Sequence, residues 1–174
     1  IVLTGAGKAF SGGADIREFG SPKALAEPNL LTLIRVVEDS AKPVVAAVHG
    51  RVVGMGASLM LGCDMVVAAE DALFTWPEAR HGIWPQLVAP QLLRHLGPKD
   101  AFEVLATGRT LDAAEARALR LINRVVPRAG LLDEACALAA AATQYGPESL
   151  RGIKAMIDAA GNRGTEIQSG NLIT

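Results

Sequence analysis

The amino-acid sequence predicts an α/β protein, in which short buried strands alternate with helices. Three observations carry this reading. Pro43 to Val48 and Met65 to Ala69 are continuously apolar, as strands covered on both faces are. Between such runs, apolar residues recur at helical spacing, as in Leu30, Leu33, Ile34 and Val37. Glycine-rich turns then join strand to helix, and elements alternating in this way indicate α/β.

Taken in order, Ile1 to Leu3 reads as a strand closed by the turn Thr4-Gly5-Ala6-Gly7. Because that strand pattern starts at the first residue, with no methionine, cap or leader before it, the chain reads as a piece of a longer protein. Ser11-Gly12-Gly13-Ala14 is a second small-residue turn running into a short helical pattern at Asp15 to Phe19, and residues 23–29 read as a surface connection. The helix from Leu30 is expected to stop at Lys42-Pro43, since the residue before proline is pushed out of helical geometry. Val48 is expected to lead directly into Gly54, Gly56 and Ala57 and on into a helix through Leu59, Met60 and Leu61. Glu70-Asp71 reads as a solvated turn, and Asp64 as a hydrogen-bond acceptor at a strand start. After a loop at 82–85, a helix closes at Gly97, with Pro90 expected to delay or bend it. Pro98 suits the first position of the next helix. Asp112 with Glu115 three residues on predicts a capping box. A strand at Leu121 to Val126 and helices at Leu131 to Ala142 and from Pro147 to about Ala160 complete the chain.

The totals exclude several classes. At 174 residues, half of them hydrophobic and with a net charge of −1, the chain fits one domain with a real core and offers no electrostatic case for nucleic acid. No apolar run reaches the roughly 18 residues of a membrane span. Cys63 and Cys136 are far apart, which predicts buried free thiols in a reducing compartment, and the cytoplasm is the expected location. His49, His81 and His95 share no ligand-like spacing, so no metal is expected; His81, three residues beyond Glu78, could face the same site but is expected to be a structural histidine.

The chemistry concentrates in the two turns and one acid. At a helix start several N–H groups lack partners, and glycines let another group come close to them. Should the amides of Ala14 and Met55 converge, they form a two-donor hole for one carbonyl oxygen, at ~3 kcal/mol per donor. Glu78 then supplies a base, its setting of Phe74, Trp76, Pro77, Ile83 and Trp84 predicting a carboxyl raised by desolvation; spacing alone equally admits a surface glutamate at a helix start after Pro77.

The segments LTGAGKAFSGGADIR, KPVVAAVHGRVVGMG, CDMVVAAEDALFTWPE, TGRTLDAAEA and LINRVVP, in this order and spacing, together resemble the crotonase superfamily, the enoyl-CoA hydratase/isomerase family. The resemblance implies a spiral of ββα turns with C-terminal helices. Residues 1–127 match the family core, whose N-terminal part is absent, and 128–174 form a helical region expected to serve assembly into a homotrimer or hexamer. It implies an acyl-CoA thioester substrate with no separate cofactor, coenzyme A being part of the substrate. It also implies an oxyanion hole from the amides of Ala14 and Met55, and Glu78 as acid and base. The segment Ala14, Asp15, Ile16 and Arg17 falls where the family lines its CoA pocket, with Arg17 facing the phosphates or simply solvated. Trp84, with Gln86 and Leu87, replaces a glycine-rich wall and is expected to make it bulkier and drier. The second glutamate of the family's hydratases falls on Ser58, which can hold a water but cannot act as a base unaided. A single carboxylate suits a 3,2-enoyl-CoA isomerase, the overall likeness suits a hydratase equally, and the loss at Ser58 also admits a non-catalytic member of the fold.

Overall fold

The computed structural model describes residues 1–15, 17 and 29–162. Its elements are β1 (Val2–Thr4), α1 (Leu30–Glu38), β2 (Val45–Val48), β3 (Arg51–Val53), α2 (Met55–Leu61), β4 (Met65–Ala69) and β5 (Leu73–Thr75). A 3₁₀ turn (Glu78–His81) follows, then α3 (Ala89–Leu93), α4 (Pro98–Thr107), β6 (Thr110–Asp112), α5 (Ala113–Ala118), β7 (Arg124–Val126), α6 (Leu131–Ala142) and α7 (Pro147–Asn162).

Two sheets organise the chain. The first has four parallel strands in the order β1-β2-β4-β7; the second has β3, β5 and β6, with β5 antiparallel to β6. The chain steps from the first sheet to the second and then into helix, as β2, β3, α2 and again as β4, β5 and the 3₁₀ turn. β1 opens the same pattern, because Ser11 bridges Val52 in parallel. This repetition is the spiral of ββα units that the family resemblance leads one to expect.

The apolar strands are continuous because both faces are covered. Ala46, Val48, Val66 and Ala68 point into a core shared with α1 to α5, while Val45, Ala47, Val67 and Ala69 meet Leu131 and Ala135 of α6. The chain beyond residue 127 therefore closes one side of the sheet. α7 is tied on by Lys154, whose ammonium pairs with Asp64 at 3.2 Å and donates to the carbonyls of Val37 and Ser40 at the end of α1.

Several expectations meet their elements. Asp112 and Glu115 form the capping box, Pro98 opens α4, and Pro90 lies in the first turn of α3, where its missing N–H is harmless. Asp64 accepts from the Val44 amide at 2.7 Å. Others are corrected. α1 is capped at Asp39, short of Lys42-Pro43, because Ser40 tightens its last turn and Lys154 satisfies its carbonyls. β2 does not lead straight into the glycines: Gly50, at φ 56°, turns the chain into β3 first. Cys63 is buried, its thiol pushed up to about 12 by desolvation, but Cys136 is exposed, on a face of α6 turned away from the sheet. The expected helical pattern at residues 16–19 and the connection at 23–28 lie outside the described residues, save Arg17. Among the described residues, no helix is long and apolar enough to cross a membrane, and no three His, Cys, Asp or Glu side chains cluster as a metal site would need.

Candidate active site

The site is built where two turns touch. The loop after β1 runs along β3, with the Ser11 amide donating to Arg51, the Val53 amide to Ser11, and the Gly13 amide to the Ser11 hydroxyl. That brings Gly13, at φ 86°, against the start of α2. A side chain there would stand 2.8 Å from the Val53 carbonyl oxygen and 3.8 Å from the Met55 nitrogen. Gly56 completes the contact, since a Cβ on it would overlap Ser11 and lie 3.5 Å from the Gly13 nitrogen. Gly13, the residue before Ala14, thus lies against the Met55 backbone, and among the described residues neither the Ala14 nor the Met55 amide has a hydrogen-bond partner. Two free N–H groups on adjoining turns are what a two-donor hole for one oxygen requires.

Glu78 comes from the other side. β5 pairs with β3, the Gly54 amide donates to the Thr75 carbonyl at 2.9 Å, and Trp76-Pro77 carries the chain over the turn. Gly54 has φ 51° and ψ −120°, and a Cβ on it would meet Glu78 Oε1 at 2.6 Å. The carboxylate therefore occupies the space that a side chain at Gly54 would fill. It is half-buried, and its Oε2 is sealed from solvent without a partner. Desolvation raises its carboxyl above the usual value, opposed by its own amide and by the charge of His81.

A cavity of ≈ 160 Å³ opens between these parts. Gly12, Gly13 and Ala14 form one wall, Val53, Gly54 and Met55 the floor, and Pro77, Glu78, His81 and Ile83 the other wall. Ala14, Met55 and Glu78 thus meet at one cavity. The remaining candidates do not. Ser58 is fully buried inside α2, its hydroxyl unpartnered, and it is not among the cavity's walls. Trp84 is 74% exposed and Leu87 53%, so neither forms the dry wall expected of them; the chain leaves the cavity after Ile83. Asp15 and Arg17 lie exposed and bind each other, Arg17 Nε to Asp15 Oδ1 at 2.9 Å, which holds the Asp15 carboxyl below its usual value. Ile16 lies outside the described residues. His81, expected to be structural although its spacing from Glu78 allowed it to face the site, is exposed on the cavity wall. The 3₁₀ geometry of Glu78–His81 accounts for this, because side chains three apart in such a turn eclipse one another.

Comparison with known proteins gives the family. The sequence profile of the family described as Enoyl-CoA hydratase/isomerase matches residues 1–171. A "Putative enoyl-CoA hydratase" of Thermus thermophilus is 41% identical over 173 residues, covering 95% of this chain and 68% of that protein. The crystal structure of an enoyl-CoA hydratase from Polaromonas sp. JS666 superposes with a TM-score of 0.83 at 31% identity, covering 97% of this chain and 67% of that one. A monofunctional enoyl CoA isomerase from M. smegmatis superposes with a TM-score of 0.78 at 29% identity, covering 97% of this chain and 76% of that one. This chain spans about two thirds or less of the length of most curated relatives it matches, 68% for the Thermus protein and 61% for a Bacillus subtilis "Probable enoyl-CoA hydratase". On the profile match and the likeness to the Thermus protein, the chain belongs to the enoyl-CoA hydratase/isomerase family of the crotonase superfamily.

Proposed function

We propose that the cavity binds an acyl-CoA thioester and moves a proton at the carbon next to the thioester carbonyl. In this reading the Ala14 and Met55 amides hold the carbonyl oxygen as it gains negative charge, and Glu78 takes and returns the proton. The observation that carries it is the Glu78 carboxylate lying over Gly54, beside the contact between the two turns. A half-buried carboxyl with a raised pKa is suited to exchanging protons near neutrality. The substrates are 2-enoyl or 3-enoyl thioesters. Both hydration and double-bond migration leave the oxidation level unchanged, so neither calls for an electron carrier, and coenzyme A enters as part of the substrate. The family's assemblies support a homotrimer or hexamer, and the cytoplasm is the proposed location.

A second reading, 3,2-enoyl-CoA isomerisation alone, is favoured by one observation: Glu78 is the sole carboxylate on the described cavity walls, Ser58 being shut inside α2. One carboxylate is enough to lift a proton from C2 and return it at C4. Turnover of 2-butenoyl-CoA and 3-hexenoyl-CoA separates the two readings. In Glu78→Gln, both activities are expected to fall by about 10²–10⁴-fold while binding of butanoyl-CoA persists. Unchanged turnover in that variant would remove Glu78 from the reaction.

A further inference from the structure

We infer that His81 is the second proton carrier of this cavity and gives a site with one carboxylate the capacity to hydrate. The inference rests on the acyl-CoA reading above and deepens it.

A lone carboxylate has a conflict in hydration that it does not have in isomerisation. It must be ionised to take a proton from water and protonated to give one to C2. In the related hydratases a second acid would fall on Ser58, but that residue is buried and forms no part of the cavity. Among the described residues on the walls, Glu78 and His81 are the two with titratable side chains. They are the first and last residues of one 3₁₀ turn, a spacing at which side chains eclipse on one face. Gly82, in the left-handed region at φ 68°, stops the turn directly after His81, with its amide bonded to the Ala79 carbonyl. The imidazole is therefore held at the rim, exposed, where it can exchange protons with solvent, whereas Glu78 Oε2 is sealed. Among the described residues, no other charged side chain lines the cavity. Arg80, on the same turn, is bonded to the Thr107 carbonyl of α4, the helix packed against it. Asp15, beyond the Ala14 wall, is paired with Arg17, and the β3–α2 floor of Val53, Gly54 and Met55 carries no charge.

The step balances as follows. Water oxygen bonds to C3, its proton passes to a ring nitrogen of His81, and the C2=C3 electron pair moves toward the thioester oxygen. The Glu78 carboxyl then gives its proton to C2. Imidazolium returns a proton to the carboxylate through solvent, so the net change is one water added, with no electrons gained or lost.

The test compares the whole chain with His81→Gln, following kcat and KM for 2-butenoyl-CoA hydration and 3-hexenoyl-CoA isomerisation between pH 5 and 9. Hydration is expected to lose about 10²–10⁴-fold in kcat with little change in KM, and its bell-shaped pH profile should reduce to a single limb. Isomerisation should fall by less than tenfold. In His81→Ala, added imidazole should restore part of the hydration and leave isomerisation unmoved. Equal losses in both reactions, no loss in either, or a wild-type chain that isomerises without hydrating would each overturn the assignment. A wild-type chain that neither binds butanoyl-CoA nor turns over either thioester would sink the acyl-CoA reading along with it.

Discussion

Glu78 shows how an ordinary residue becomes chemically useful through its setting. Burial lifts its carboxyl above 4.5, the usual value, so the fold holds that proton more tightly than the unfolded chain does. The sign follows by linkage: stability from this group is fully present below the unfolded value and is lost as pH rises through the raised one. Glu78→Gln should therefore match the parent in urea midpoint in acid and exceed it near neutrality. A variant less stable than the parent at pH 7 would contradict that burial cost. Glu78 was legible in the sequence because the apolar residues around it are its neighbours in the chain. His81 was legible only as the lesser of two alternatives, because an isolated histidine three residues from Glu78 gives no periodic signal to choose between them. Trp84 misled for a related reason: nearness in sequence to Ile83 does not say that the chain has already turned outward.

At the scale of elements, Gly54 joins three of them: it ends β3, caps α2 and makes room for the acid delivered after β5. Gly54→Ala would force a Cβ into a backbone region that side chains rarely adopt and into contact with Glu78 Oε1. We expect a loss of about 1–3 kcal/mol in thermal or urea unfolding and a displaced carboxylate, with turnover falling further than stability alone accounts for. Full activity in that variant would show that the carboxylate need not lie over the turn. Elements with a chemical marker could be read beforehand: the capped α5, the proline-led α4, the wholly apolar β2 and β4. β3, β5 and β6 could not, since each is a three-residue strand holding a polar side chain, with no continuous apolar run to set it off from the loops around it.

For the molecule as a whole, the outer face of α7 leaves Ile153, Met156 and Ile157 exposed, beside Tyr145. Lys154, on another side of the helix, anchors it to α1 and Asp64, so the helix can stay docked when that apolar face is altered. Should this face serve the proposed assembly, Ile157→Asp will lower the mass seen by light scattering while the circular dichroism of the fold is kept. An unchanged mass would move the interface elsewhere. The interior makes a different demand. Successive residues of β2 and β4 alternate between the two hydrophobic clusters, so each strand is a shared partition with no residue to spare for one side alone. Neither half can loosen without opening the other. In native-state hydrogen exchange, the amides of Val45–Val48 and Met65–Ala69 should thus be the last to take up deuterium, and should do so as one group.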